Sequence, residues 1–394
     1  MSAQGASIST RKIGLALSGG GIRAAIFHLG VLRYLAEQGL LERVRYISSV
    51  SGGSLLAGLV FRYSDYKWPS SMQFLSETHK AIRCVVLRTN LQRRYIGDLF
   101  LLPWNWPRFA FRANVMADTI RGAWAIHGKL RDLPAAPVWA INGTTMETGR
   151  RWRFRGDAAP GRPPSFEMGD GELGYTPADD FPIASAMATS AAFPGGISPL
   201  RISTRKRAWT KPNYDAPGHP LQNVQPRYGA YHVADGGVYD NLGLEPLFDV
   251  SRNAIRGITG CDYLVVSDGG APLPIKRWHL LAQAAGFAKR TVDIMSTQTR
   301  HLRVRAFARF LIENPGTGVF LDISQAADEA ISRARNRYKV PVPLNIERYP
   351  YLREPAATIV AEHATTLGAP SAADFELIER HGYEVTLVQF GLYG

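Results

Sequence analysis

The sequence predicts a three-layer α/β fold: one mostly parallel sheet between helices, with a helical cover from the C-terminal part of the chain. Two observations predict it. An apolar run, Ile13 to Leu17, feeds a glycine turn at Ser18-Gly19-Gly20-Gly21-Ile22-Arg23. A β-leaning run, Val44 to Ile47, feeds a second turn at Ser49-Val50-Ser51-Gly52-Gly53-Ser54. Between them Ile22, Ile26, Leu29, Leu32 and Leu35 recur at helical spacing, and Gly39 stands where a C′ residue ends a helix. Strand, glycine turn and helix, repeated once, make a βαβα unit of the parallel-sheet type.

The second turn has the form of a nucleophile elbow. A serine at the tip of a sharp strand-to-helix bend is forced outward, and small neighbours are needed because larger ones would clash. Ser51 has Ser49 before it, Gly52 and Gly53 after it, and a helical run through Leu55, Leu56, Leu59 and Val60 beyond. The pattern is G-x-S-x-G with its first glycine replaced by serine, which keeps the small size and loses the tolerance of positive φ. The triple glycine supplies something different. Successive glycines let N–H groups converge on one point, and the following helix adds the positive end of its dipole. One such donor beside a reacting serine is worth roughly 3–4 kcal/mol to an acyl-transfer transition state.

Gly19 to Ala24 also fits G-x-G-x-x-A, a dinucleotide fingerprint. That reading wants a carboxylate at the end of the next strand, where the chain has Ile47-Ser48-Ser49-Val50. A P-loop is excluded because no Gly-Lys-Ser/Thr follows. The glycines alone leave phosphate binding and an oxyanion hole both open, and the serine turn one crossover later favours acyl chemistry.

Beyond the βαβα unit, residues 65–132 read as a helical insert. Ser71 to Leu87 forms a helix with mixed faces, and 114–132 forms another. Between them Arg93-Arg94-Tyr95 precedes Leu99-Phe100-Leu101-Leu102-Pro103-Trp104-Asn105-Trp106-Pro107-Arg108-Phe109. Tryptophans, leucines and arginines in one short segment suit a membrane interface, or else they cap the core of the insert. A lid over the acyl site reconciles the two. Pro137 to Gly143 reads as a strand, paired with Trp152 to Phe154 behind the Met146–Gly149 turn. Asp157 to Pro177 is rich in glycine and proline and reads as a surface loop. Ala184 to Pro199 opens as a small-residue helix, and 203–229 reads as a mobile insertion without periodicity.

Next comes His232-Val233-Ala234-Asp235-Gly236-Gly237-Val238-Tyr239-Asp240-Asn241. Asp235 ends a short apolar run, and two glycines leave its carboxylate little steric cover. A carboxylate can orient a serine hydroxyl and take its proton where the site raises its pKa. Ser267-Asp268-Gly269-Gly270 ends another apolar run, Tyr263 to Val266, and is as good an Asp-Gly-Gly taken alone. Pro274 to Ile312 reads as one long helix or two shorter ones, Gly318 to Ile323 as a strand, and Gln325 to Tyr338 as a helix. Two further helices follow a proline-spaced stretch, the second opened by Ser371 with Asp374 three residues on, a capping box.

Gly-Gly-Gly-x-Arg, a serine elbow and a later Asp-Gly-Gly, in this order and strand context, resemble the patatin-like phospholipase family. The stretch ASAMATSAAFPGGISP from Ala184 to Pro199, and Asn142-Gly143-Thr144 with Glu147-Thr148-Gly149, are similar to further parts of that family, so the likeness spans roughly residues 13–245. The resemblance implies a Ser–Asp dyad without histidine, with Ser51 as nucleophile, Asp235 as base and the turn Gly19, Gly20, Gly21 as oxyanion hole. It selects Asp235 over Asp268 because the likeness runs on through Val238, Asp240 and Asn241. The implied reaction is hydrolysis of acyl esters in a lipid or phospholipid, with neither metal nor organic cofactor. Transfer of the acyl group to another alcohol, and a non-catalytic module that binds phosphate or nucleotide, are the alternatives. Arg23 is either a contact for a lipid phosphate or a first-turn residue paired locally. His28 and His232 read as structural, with a conventional triad through His232 or His301 as the variant mechanism.

Composition bounds the rest. At 394 residues and 45% hydrophobic content the chain can bury a large core, and α/β layered folds of this length occur as one domain. The expected organisation is a disordered leader at 1–12, a catalytic core at 13–270 with inserts at about 65–132 and 203–229, and a helical part at 271–394 on the same domain. Residues 1–12 lack an apolar h-region, and no window of about 18 residues is apolar enough to span a bilayer. Two cysteines, Cys84 and Cys261, offer neither a disulfide framework nor a metal cluster, which points to the cytoplasm. Forty-six basic against 33 acidic residues give a net charge of +13. No nucleic-acid motif accompanies it, so it reads as a solvated surface, with peripheral contact with an anionic membrane as the second reading.

Overall fold

The computed structural model describes residues 8–157, 165–193, 196–213, 219–273, 275, 280–352 and 354–394. In chain order the strands are β1 (Ile13–Leu17), β2 (Val44–Ser49), β3 (Val138–Thr145), β4 (Arg151–Asp157), β5 (Ser165–Asp170), β6 (Gly174–Pro177) and β7 (Leu200–Ser203). They continue with β8 (Thr210–Pro212), β9 (Leu221–Asn223), β10 (Ala230–Asp235), the short pair β11 (Phe248–Asp249) and β12 (Ala254–Ile255), then β13 (Tyr263–Asp268) and β14 (Gly318–Asp322). The main sheet runs β14-β13-β1-β2-β3-β4-β5-β6-β8-β9, with β10 on β3 and β7 on β10. From β14 to β3 every pairing is parallel. Beyond β3 the pairings are antiparallel.

The parallel half arises as the pattern predicts. Helix α1 (Gly21–Glu37) follows β1, and α2 (Gly52–Arg62) follows β2. Gly39 takes positive φ and closes α1 as the C′ residue. Along β1 and β13 side chains alternate between two cores. Leu15, Leu17, Tyr263 and Val265 join α1, α2 and the C-terminal helix Ala372–Tyr393 on one face. Ala16, Leu264 and Val266 meet Leu242, Phe248, Phe307 and Phe310 on the other. Phe307 and Phe310 belong to a single long helix, Leu280–Glu313. The sheet is therefore covered on both faces, as strands buried on both sides require. Ser371 caps the last helix, accepting the Asp374 N–H at 3.0 Å.

Some expectations fail for identifiable reasons. The stretch from 157 to 177 is not a loop throughout: β5 and β6 pair antiparallel across Gly169 and Gly174, both at positive φ. Glycine is depleted in strands, which hid them. The interval 203–229 likewise holds β8 and β9 as an antiparallel extension of the sheet. Residues 158–164 and 214–218, within those two intervals, lie outside the described residues, as do 1–7 of the expected leader; Ile8–Thr10 forms a 3-10 turn. In the insert the helix from Ser71 to Arg88 carries a π turn at Phe74–Thr78. The segment 114–132 is a helix only over Arg112–Trp124, followed by a 3-10 turn at Leu130–Asp132.

Candidate active site

The register explains how residues far apart in sequence meet. β2 pairs with β3 from Val138 to Ile141, and β10 pairs with it from Gly143 to Thr145. β4 covers Ile141 to Thr144 from the opposite side. So β2 and β10 share one edge of β3 and run toward each other, their C-terminal ends facing across Asn142. Ser51 follows the end of β2, and Asp235 is the end of β10.

Ser51 sits at φ 48 and ψ −115, a conformation that costs a non-glycine residue of order 1–3 kcal/mol. This is the strained elbow that thrusts the hydroxyl out of the strand-to-helix bend. Buried hydroxyls brace it. The Ser51 N–H donates to Ser190 Oγ at 3.0 Å, and Ser190 Oγ donates to the Asn142 carbonyl at 2.7 Å. Ser190 has one proton and spends it there, so Ser54 donates to Ser190 and Ser49 in turn to Ser54. Trp139 Nε1 donates to Ser49 at the head of the series.

Asp235 is buried, and its Oδ1 accepts the Gly237 N–H at 2.6 Å. Burial lifts its pKa to about 7 against the opposing effects of the Gly237 N–H and a hydrogen-bonding contact from the Ser51 side chain. Its backbone is fixed as well: its N–H donates to the Ala192 carbonyl, and its carbonyl accepts from Thr144 Oγ1.

The glycine turn lies alongside. β1 and β2 are parallel neighbours with Leu17 opposite Ser49, so their C-terminal turns emerge side by side. A Cβ on Gly19 would stand 3.1 Å from the Ser51 Cβ, and one on Gly52 would collide with the Gly21 carbonyl. Gly20 and Gly21 take φ +147 and +66, open only to glycine at ordinary cost. The Gly19 N–H is committed to the Asn241 carbonyl and the Ile22 N–H to the Thr366 carbonyl. Within the described chain neither the Gly20 nor the Gly21 N–H forms a hydrogen bond. Gly20 and Gly21 thus keep the uncommitted backbone donors of the turn, and Gly19, its own N–H occupied, allows the close approach to Ser51.

Arg23 is turned into the protein, which favours the local pairing over a lipid-phosphate contact. Its guanidinium is buried and donates to the carbonyls of Ala361, His363 and Gly269, which clamps the turn to the C-terminal part of the chain. Burial first, then the nearby Arg300, lowers its pKa to about 10. Asp268 is buried beside the site and ion-paired with Arg300 Nε at 2.6 Å, so its carboxylate is occupied. His28 bridges Ser267 Oγ and the Ser18 carbonyl, and burial holds it neutral with a pKa of about 4. His232 pairs with Glu147. Ser190, Asn142 and Thr366 are the participants that motif reasoning missed. Ser190 and Asn142 lie within stretches singled out for likeness, yet nothing local in sequence marks their roles. Among the described residues no group of three or more His, Cys, Asp or Glu side chains could hold a metal ion. No helix of the described residues is long and apolar enough to cross a membrane.

A sheet that is parallel at its centre, and that delivers a serine elbow next to a glycine turn, is the build of an α/β serine-elbow protein. The chain belongs to the patatin-like phospholipase family, whose profile matches residues 15–248. No curated protein matches it. Among solved structures it is similar to human GIVD cytosolic phospholipase A2, at 13% identity and a TM-score of 0.51, covering 95% of this chain and 61% of that one. It is also similar to VipD from Legionella pneumophila, at 15% identity and a TM-score of 0.37, covering 96% of this chain and 66% of that one. The chain thus spans about three-fifths of the length of the phospholipase it matches.

Proposed function

We propose that this protein is a serine lipid acyl hydrolase of the phospholipase A or lysophospholipase type, working through Ser51 and Asp235. The observation that carries the reading is the head-to-head meeting of β2 and β10. It sets a buried carboxylate, with its pKa lifted to about 7, against an elbow serine. Above that pKa the carboxylate takes the Ser51 proton as Oγ attacks the ester carbon. The developing oxyanion takes hydrogen bonds from the Gly20 and Gly21 N–H groups. The ester C–O bond then breaks, the proton passes from Asp235 to the leaving alcohol, and an acyl-Ser51 ester remains. Water attacks that ester with Asp235 again as base, the acyl–Oγ bond breaks, Asp235 returns the proton to Ser51 Oγ, and the fatty acid leaves.

Incubation with a fluorophosphonate followed by peptide mapping tests the nucleophile, and fatty-acid release from a panel of phospholipids and lysophospholipids tests the substrate class. The expected result is an adduct on Ser51 and a loss of about 10³-fold or more in hydrolysis for Ser51→Ala and Asp235→Asn. Full activity in Ser51→Ala would overturn the assignment, and absence of both adduct and hydrolysis would favour a binding module.

A further inference from the structure

The insert presents an apolar surface that the core does not use. In the helix Leu91–Leu101 and the 3-10 segment Pro103–Phe111, Tyr95, Leu99 and Asn105 turn inward. Phe100, Leu101, Trp104, Trp106 and Phe109 face out, with Leu101 79% and Trp104 68% exposed. These rings do not cap the insert's core. Two indoles, a leucine and two phenylalanines within ten residues form a patch of the kind that marks an interaction surface. The segment itself is basic: residues 91–112 hold four arginines and one carboxylate, Asp98, which is engaged by Thr119, while Arg108 is paired with Asp118 of the next helix and Arg93 and Arg94 stand exposed.

Both ends of this segment are tied to the two lips of the candidate site. At its start Gln92 and Leu367 exchange hydrogen bonds, and the neighbouring Thr366 carbonyl accepts the Ile22 N–H of the glycine turn. At its end the Arg112 N–H donates to Ser198 Oγ at 2.6 Å. Ser198 lies six residues after Ala192, whose carbonyl holds the Asp235 N–H. One lip carries the oxyanion donors and the other the carboxylate.

We propose that residues 91–112 are the element by which this protein docks on an anionic lipid bilayer. Phe100, Leu101, Trp104 and Trp106 enter the headgroup region, and Arg93 and Arg94 meet lipid phosphates. Amphipathic rings beside two exposed arginines, Arg93 and Arg94, match a negatively charged bilayer better than a protein surface. The choice of a bilayer also rests on the proposed lipid-ester chemistry. Docking here sets the mouth of the site against the layer that holds its substrate.

The test is made in the Ser51→Ala protein, so that binding is read without hydrolysis. That protein is sedimented with phosphatidylcholine vesicles with and without phosphatidylglycerol, the latter including brominated acyl chains. The expected result is co-sedimentation that needs phosphatidylglycerol, weakens with salt and is accompanied by quenching of tryptophan emission. Adding Leu101→Ser and Trp104→Ser should lower vesicle partitioning about tenfold or more and remove most of the quenching. Trp106 is left in place because its indole N–H holds the Phe100 carbonyl. A second variant, Arg93→Gln with Arg94→Gln, should reduce binding while retaining quenching of the bound fraction. Undiminished partitioning in the Leu101/Trp104 variant with an unchanged thermal melt would overturn the proposal. So would a dimer that this variant dissociates, with no vesicle binding by the parent. Loss of hydrolysis in otherwise wild-type protein that still binds would count against the hydrolase reading and leave this one standing.

Discussion

At Asp235 one environment would govern both the proposed chemistry and stability. Burial raises its pKa to about 7, so the folded protein keeps a proton that the unfolded chain releases near pH 4. Between those values the unfolded state binds fewer protons, and stability falls as pH rises from about 4 to about 7, then levels. Asp235→Asn should therefore raise the melting temperature at pH 8, by a stabilisation on the order of 1–4 kcal/mol that vanishes toward pH 4. Wild-type kcat/KM should rise with pH on an acid limb centred near 7. Melting curves of the two proteins across pH, with a pH–rate profile, check both; a limb near pH 4 would mean another base. Ser190 acts at one remove. Ser190→Ala leaves the Ser51 N–H without its acceptor, which should cost about 1–3 kcal/mol of stability. It should also slow fluorophosphonate labelling of Ser51 about tenfold, because the elbow loses its brace. A rate equal to wild type would show that the backbone holds Ser51 unaided.

At the scale of elements, what was legible in sequence was what is local. The serine elbow and the glycine turn show as changes of period at a glycine, because a strand-to-helix bend is made by neighbouring residues. The proposed choice of carboxylate is not local: Asp235 and Asp268 both end apolar strands and both precede two glycines. What separates them is Arg300, which reaches Asp268 from the long helix, and the antiparallel arrival of β10 on β3. The bracing contacts of Ser190 and Asn142 were invisible for the same reason, since their partners lie far along the chain. The insert misled in another way, because aromatic content alone does not tell which face of a short helix turns outward. Contact between α1 and the C-terminal helix is equally silent in sequence. A Cβ on Gly30 would strike the Glu379 carbonyl, and one on Gly382 the Phe27 carbonyl, so the two backbones cross where neither has a side chain. Gly382→Val should cost about 2–3 kcal/mol, read as a lower urea midpoint with an unchanged slope. A shift below about 0.5 kcal/mol would mean the helices can separate there without penalty.

For the whole molecule, the matched family region and the folding unit have different extents. The match ends at residue 248, yet β1, which carries the glycine turn, has β13 as one of its two neighbours, and β14 closes that side of the sheet. The core beneath α1 includes Val319, Leu321, Val360, Phe375, Ile378 and Val385, all beyond the match. The buried Arg23 guanidinium finds its carbonyl partners at Gly269, Ala361 and His363. A chain cut after residue 250 would expose one edge of β1 and one face of α1, and would remove the carbonyls that clamp the Arg23 guanidinium and with it the glycine turn. Exposing that apolar face alone costs several kcal/mol, against a typical total stability of about 5–15 kcal/mol. The expected outcome is that residues 1–250, made alone, give an aggregated or molten product with no cooperative melt and no labelling of Ser51. The measurement is circular dichroism during heating, alongside gel filtration and fluorophosphonate labelling of fragment and full chain. A monomeric fragment that melts cooperatively and labels at the full-length rate would show that the C-terminal part only decorates the catalytic unit. The hydrogen bonds from Arg23 and the pairing of β1 with β13 argue that it completes that unit.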